Sequence, residues 1–183
     1  MNDTMTKPTG HVKGYWEDQD GKRTPAFDIH NTIMYAASDV MAKLYGGGTV
    51  APDGIGFIVG TTNTTPTLPS GKNVSLASVR GVSSVTEVAV LPFSYLPTVT
   101  ASSSDYDIAG LSGNVVSFHG RSEIDSSSDT DTYIYGAVLL ANSVYTTTGE
   151  EGSGIVVGMI SFTRVKKPSG LQLALDWSVT FTS

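Results

Sequence analysis

The segment Leu171-Gln172-Leu173-Ala174-Leu175-Asp176-Trp177-Ser178-Val179-Thr180-Phe181 decides the fold class of this chain. From Leu171 to Phe181, large apolar side chains occupy every second position, and polar or small ones lie between them. Strict alternation places one face of a β-strand against a core and leaves the other face in water. Because the segment carries a Trp and a Phe, we expect this strand to lie within a core that closes a sandwich or a barrel.

Eight further segments have the residue pattern of strands and are bounded by turn residues. The first two predict a hairpin around Asp20-Gly21, anchored by Trp16 and Phe27, since Asp-Gly suits a tight turn. The intervening segments 61–72, 100–113, 124–132 and 146–154 are small and polar, which is typical of exposed loops. The eight predicted strands are Val12–Trp16, Thr24–Ile29, Ile55–Gly60, Val74–Val79, Val82–Pro92, Val115–His119, Tyr133–Ala141 and Ile155–Arg164.

One segment predicts a helix, from about Thr32 to Tyr45. Asn31 suits its N-cap and Gly46 its C-terminal stop. Apolar residues recur at helical spacing within it, so one stripe is expected to pack on a sheet. The apolar stripe comprises Ile33, Ala37, Val40, Met41 and Leu44.

These patterns predict a mostly β protein. We expect a flexible N-terminal arm over residues 1–9 and a single β-rich domain over residues 10–183. The expected architecture is an antiparallel β-sandwich, jelly-roll-like, with one packed α-helix at about 32–45. A barrel alternates its faces in the same way, so the pattern leaves sandwich and barrel open.

Composition excludes several functional classes. The chain of 183 residues has a formal net charge of −6, which disfavours a nucleic-acid-binding surface. Its longest apolar runs, such as 137–141, are far below the roughly 18 residues of a membrane span. The first ten residues lack the apolar stretch of a secretory signal, so no export is expected. With no Cys, neither disulfides nor thiolate chemistry are available.

Catalytic motifs are weak in this sequence. Gly-x-Ser-x-Gly is absent, and His11, His30 and His119 show no paired metal-ligand spacing. We interpret each His as a strand-end or capping residue. The sequence therefore predicts a protein that is not an enzyme and has no cofactor, although convergent triads escape sequence motifs.

Two acidic loops carry candidate binding sites. Asp125, Asp129 and Asp131 offer oxygen ligands for a hard cation such as calcium, but they lack the Gly and the terminal Glu of an EF-hand loop. The alternative is a solvated turn whose side chains bond their own backbone. Tyr106 lies in an acidic loop and is a candidate for stacking on a sugar. Tyr133 and Tyr135 share a strand face and are interpreted as core or interface residues.

Two parts of the chain resemble virion proteins of tailed bacteriophages. The first is Asp28-Ile29-His30-Asn31-Thr32-Ile33, leading through the helix to Gly46-Gly47-Gly48 and then Ile55-Gly56-Phe57-Ile58-Val59-Gly60. The second runs from Val165-Lys166-Lys167-Pro168 through Leu175-Asp176-Trp177-Ser178-Val179-Thr180-Phe181. The resemblance covers about the N-terminal third and the last strand, and it assigns no functional residue.

This resemblance implies a structural component of the virus particle, assembled in the host cytoplasm. A capsid decoration (cement) protein is favoured, because the chain reads as one compact domain without the repeats of a fibre shaft. Such proteins assemble by burial between subunits and by strand pairing, and a homotrimer suits both capsid and fibre axes. The expected partners are other virion proteins, such as the major capsid or tail proteins, with no nucleic acid and no membrane. Tyr15 and Trp16 are the candidates for an interface.

Two other functions stay open. A tail fibre or adaptor component has the same composition and the same absence of catalytic motifs. A carbohydrate-binding adhesin module would act through the loops around Tyr106 and Asp129. Glycan binding that Tyr106→Ala abolishes would favour the adhesin.

Overall fold

The computed structural model describes residues 8–45, 52–92, 108–112, 115–121, 133–144, 153–166, 168 and 170–180. These residues form a mostly β protein with nine strands and two helices in the order β1, β2, α1, β3, α2, β4 to β9. The strands are β1 Thr9–Glu17, β2 Arg23–Ile33, β3 Pro52–Gly60, β4 Glu87–Pro92, β5 Ile108–Ser112, β6 Val115–Arg121, β7 Tyr133–Val144, β8 Ser153–Lys166 and β9 Gln172–Thr180. The helices are α1 Tyr35–Tyr45 and α2 Leu76–Arg80.

All nine strands belong to one antiparallel sheet. Their spatial order is β4-β3-β7-β8-β2-β1-β9-β6-β5. Only two residue pairs join β2 to β8, Thr32 with Met159 and Ile33 with Gly158. This short seam divides the sheet into two halves. We name β4, β3, β7 and β8 the β7 half, and β2, β1, β9, β6 and β5 the β9 half. The sheet curls so that the two halves share a core.

Side chains from both halves meet in one apolar cluster. Leu173, Leu175 and Trp177 of β9 join Phe57 of β3 and Leu139 of β7 in it. Trp177 is fully buried. The alternation that predicted this strand is therefore confirmed on its apolar face. On the opposite face, Gln172 and Ala174 are also buried, so the expectation of a wholly wet face is wrong.

The other face of the β7 half is covered by the chain itself. Residues 61–86, which we name the covering segment, contribute Leu68, Val74 and Val79 to a second apolar cluster with Ile58 and Leu140. The Tyr135 hydroxyl joins this segment to β7, accepting from Thr62 N at 3.0 Å and donating to Thr62 O at 2.9 Å. Strand β7 is thus buried on both faces from Ile134 to Ala141.

The predicted first hairpin is confirmed as β1 and β2, paired antiparallel. Its turn uses the chemistry that the sequence indicated. The Asp18 carboxylate accepts hydrogen bonds from the backbone N–H groups of Asp20 at 3.0 Å and Lys22 at 2.8 Å. Gly21 has φ +78°, a left-handed conformation in which a Cβ would be strained.

The helix was predicted to begin too early. Asn31 is not an N-cap, because it pairs with Gly10 inside β2, and Thr32 and Ile33 pair with β8. The helix α1 begins at Tyr35 and lies against β8, with Val40 in the shared core. Strand pairing on both sides of β2 outweighs the helical spacing of these residues. The predicted stop Gly46 and the following Gly47-Gly48 lie outside the described residues.

Three further strand predictions need correction. Val74–Val79 was predicted as a strand, but Ser75 caps the helix α2. Of Val82–Pro92, only Glu87–Pro92 is a strand. The predicted loop 100–113 contains β5, which forms because it pairs with β6.

No helix within the described ranges is long and apolar enough to cross a membrane.

Candidate functional site: the polar face of β1, β2 and β9

Strands β1, β2 and β9 carry a polar face on the side of the sheet opposite Trp177. Trp177 pairs with Val12, and Val12 pairs with Ile29, so these three residues lie on the core side. Their sequence neighbours point the other way, because successive side chains alternate across a strand. The polar face therefore carries His11, Lys13, Tyr15 and Glu17 of β1, Arg23, Asp28 and His30 of β2, and Gln172, Asp176 and Ser178 of β9.

A buried carboxylate lies at one end of the polar face. Glu17 is only 2% exposed. Its Oε2 accepts a hydrogen bond from Arg23 Nε at 2.7 Å, and its Oε1 accepts one from Gln172 Nε2 at 3.0 Å. Arg23 also reaches Asp176, with 3.3 Å between Nη1 and Oδ1. These charge-assisted bonds tie the ends of three neighbouring strands together.

Electrostatics keep this arginine charged. Burial alone lowers the pKa of Arg23, but the hydrogen bond to Glu17 and the charges of Asp176 and Glu17 outweigh it, so the net pKa is raised. An arginine held in this way neither gives nor takes a proton at physiological pH. This cluster is therefore better suited to holding β1, β2 and β9 together than to acid-base catalysis. Its members are Glu17, Arg23, Asp176 and Gln172.

Two histidines and an aspartate lie near the end of the β1–β2 pair that is away from the turn. His11 and His30 are direct partners across the two strands, and their ring centroids are 5.1 Å apart. The Nε2 atom of His11 is hydrogen-bonded to the Asp28 carboxylate. Sequence reasoning treated the histidines as isolated. The predicted strands 12–16 and 24–29 included neither histidine, and the irregularity between Gly14 and Tyr15 shifts the register by one residue, so no signal in the sequence indicated this pairing.

Ser178, His11 and Asp28 have the residue types of a hydrolase triad, but not its geometry. Ser178 Oγ donates to the backbone carbonyl of His11 at 3.2 Å. A nucleophilic serine must instead hydrogen-bond to the imidazole that takes its proton. As arranged, Ser178 joins β9 to β1 through a backbone carbonyl, and this hydrogen bond does not involve the His11 imidazole.

The two candidate interface residues lie on opposite faces of β1. Trp16 packs against the shared core and is partly buried. Tyr15 lies on the polar face, where the Arg23 guanidinium is 5.5 Å from its ring centroid. The structure therefore does not bring Tyr15 and Trp16 together into one aromatic patch.

Several candidates from the sequence lie outside the described residues, namely Tyr106, Asp125, Asp129 and Asp131. Among the residues that are described, no group of three His, Asp or Glu side chains is arranged to hold a metal ion. Tyr135, by contrast, is fully buried in the second cluster, and Tyr133 is partly buried against that same cluster. Of the two interpretations from the sequence, core or interface, both residues fit the core.

Comparison with known proteins assigns no family to this arrangement. No family model, no curated protein and no solved structure matches the chain.

Proposed function

We propose that this protein is a structural component of a bacteriophage virion, and specifically a capsid decoration (cement) protein. It assembles by burial of apolar surface between subunits and by strand pairing at the edges of its sheet. The resemblance of segments 28–60 and 165–181 to tailed-phage virion proteins points to this class.

The observation that carries the proposal is a sheet that contains most of the described chain and ends in two outer strands. Most of the described chain lies in nine strands, and β4 and β5 are the outer two. Within the described residues, each outer strand pairs on one side only, β4 with β3 and β5 with β6. An outer strand offers backbone donors and acceptors to a further strand, so it is a natural point of assembly.

The polar face supports a structural role as well. Several of its hydrogen bonds join strands to one another: Glu17 to Arg23 and Gln172, and Ser178 to the backbone of His11. Hydrogen bonds between neighbouring strands hold the sheet together. A sheet that is held in this way suits a protein that must withstand mechanical load.

We further propose that the curled sheet is a jelly-roll-like sandwich, with the β9 half as one layer and the β7 half as the other. The support is the shared apolar cluster, to which both halves contribute. In a sandwich, inward-facing residues of two sheets interdigitate in this manner. The assembly is a homotrimer that binds the major capsid protein, or a tail protein in the adaptor alternative, and its location is the virion.

The first test is the mass of the purified chain by light scattering, followed by co-sedimentation of the same sample with phage capsids. We expect a stable particle of three times the chain mass of 19.2 kDa, which pellets with capsids. Isolated tails and host envelopes are the matched controls and should leave the protein in the supernatant. Pelleting with tails in place of capsids would assign the protein to the tail.

A protein that is monomeric in solution and stays in the supernatant with both capsids and tails would overturn the proposal. If that monomer also bound a glycan array, and Tyr106→Ala abolished the binding, the adhesin function would replace it.

A further inference from the structure

His11 and His30 form an exposed pair of imidazoles on neighbouring strands. They are register partners in β1 and β2, so their side chains project from the same face. The ring centroids are 5.1 Å apart with an interplanar angle of 31°. His30 is exposed and His11 is half-buried, so both rings are open to small solutes.

Asp28 fixes the orientation of one ring. Its carboxylate lies two residues before His30 on the same face and is hydrogen-bonded to Nε2 of His11. In a neutral imidazole, a proton on Nε2 leaves Nδ1 with a free lone pair. Metal-binding histidines commonly donate their second N–H to a carboxylate in this way, which sets the tautomer and raises the basicity of the ligand atom.

The spacing of the rings matches that of two imidazoles on one metal ion. With Zn–N bonds of about 2.0–2.1 Å and tetrahedral angles, the centroids of two ligating rings lie about 5 Å apart. Imidazole nitrogen is a preferred ligand of zinc, copper and nickel. Since the described residues hold no group of three ligands, water would complete the coordination shell.

Charges around the pair favour a cation. Lys13 faces Asp28 on one side and Asp176 on the other, in the row of the sheet next to the histidines. Two carboxylates therefore flank one ammonium group, and one of them, Asp176, is shared with Arg23, which also pairs with Glu17. Together these two cations and three carboxylates give the polar face a net charge of −1.

We propose that His11 and His30 bind one transition-metal dication, with Zn²⁺ as the reference ion and Asp28 as a positioning residue. The site is independent of the proposed role in the virion, and it lies away from Asp125, Asp129 and Asp131. A bound ion would cross-link β1 to β2 on the polar face.

The test is a calorimetric titration of the untagged, metal-free full chain with ZnCl₂, paired with NMR of the histidine ring resonances. We expect one equivalent of Zn²⁺ to bind and to shift the rings of His11 and His30. Asp28→Asn should weaken binding about 10-fold, because it removes the orienting charge. His11→Ala and His30→Ala should each weaken it more than that.

Two controls make the result decisive. His119→Ala removes the third histidine of the chain and should leave the affinity unchanged. MgCl₂ should not compete, since Mg²⁺ prefers oxygen ligands. Circular dichroism would verify that each variant is folded. Absence of Zn²⁺ binding to the wild-type chain, or binding that either His11→Ala or His30→Ala leaves intact, overturns the proposal.

Discussion

At Gly136, the backbone of β8 leaves no room for a side chain. A Cβ at this position of β7 would lie 2.3 Å from the carbonyl oxygen of Ile160, far inside van der Waals contact. Because the obstacle is backbone, it cannot turn away as a flexible side chain would. This glycine lies at an irregularity of the β7–β8 pairing, between Ile134 and Gly136.

We expect Gly136→Ala to reduce the free energy of unfolding by about 3 kcal/mol, since the two strands must separate to accept the methyl group. Urea denaturation followed by circular dichroism measures this loss. The matched control is Gly81→Ala. Gly81 has φ −69°, and its nearest neighbour to a Cβ is Ala77 O at 3.3 Å. A loss at Gly81 as large as that at Gly136 would contradict the steric argument.

A second prediction at this scale concerns the buried carboxylate of Glu17. Arg23→Ala removes the cation that is 2.7 Å from it and leaves a charge that is 2% exposed. Breaking a buried pair on one side costs about 3 kcal/mol. Lys22→Ala, at the neighbouring exposed lysine, should change the stability by less than about 0.5 kcal/mol.

The pH dependence of this pair follows from the direction of the pKa shift. Because folding raises the pKa of Arg23, the pair contributes fully below the unfolded-state pKa and is lost only as pH rises through the folded-state value. The stability difference between wild type and Arg23→Ala should thus stay constant from about pH 7 to pH 10. Denaturation curves across that window measure it. A difference that shrinks within the window would show that another group titrates with the pair.

At the scale of elements, α2 shows how a short helix is held by its cap and its packing. Ser75 Oγ accepts from Ser78 N at 3.2 Å, and Ser78 Oγ accepts from Ser75 N at 3.0 Å. Leu76 and Val79 are buried in the second cluster. A five-residue helix has too few backbone hydrogen bonds to be stable alone, so the cap and the buried pair must supply its stability.

We expect Ser75→Ala to lower the free energy of unfolding by about 1 kcal/mol, because the first turn of α2 loses its cap. Hydrogen exchange of the Ser78 amide should accelerate. Ser75→Asp is the matched control, since its carboxylate caps the same N–H and should retain most of the stability. Equal losses in both variants would mean that the hydroxyl does not act as a cap.

At the scale of the whole molecule, the two halves of the sheet depend on one core. Leu173 of β9 and Leu139 of β7 belong to the same buried cluster, although only two residue pairs join β2 to β8. Packing, more than hydrogen bonding across that seam, therefore couples the halves. A protein coupled in this way should unfold in one transition.

We expect Leu173→Ala to cost about 3 kcal/mol and to lower the exchange protection of β7 amides by the same free energy. Fluorescence of Trp177 in a Trp16→Phe background reports on the β9 half. Val144→Ala, at an exposed position of β7, is the control and should change little. If Trp177 lost its environment earlier in urea while β7 stayed protected, the halves would be separate folding units.

The sequence by itself determined what is local and periodic. Alternation over 171–181 predicted a buried strand, and Asp20-Gly21 predicted the first hairpin, because side-chain period and turn chemistry act between near neighbours in the chain. The mostly β class followed from the same patterns. Local spacing also predicted a helix near residues 32–45, and its first residues were wrong.

Only the tertiary structure decided which strands are neighbours and what their register is. Asn31 became part of β2 because Gly10 pairs with it, and residues 108–112 became a strand because β6 lies beside them. The same register set His11 opposite His30 and Arg23 beside a buried Glu17. These partners lie across a turn from each other, and the irregularity between Gly14 and Tyr15 shifts the β1–β2 register by one residue. The side-chain period within a single strand therefore does not contain the pairing.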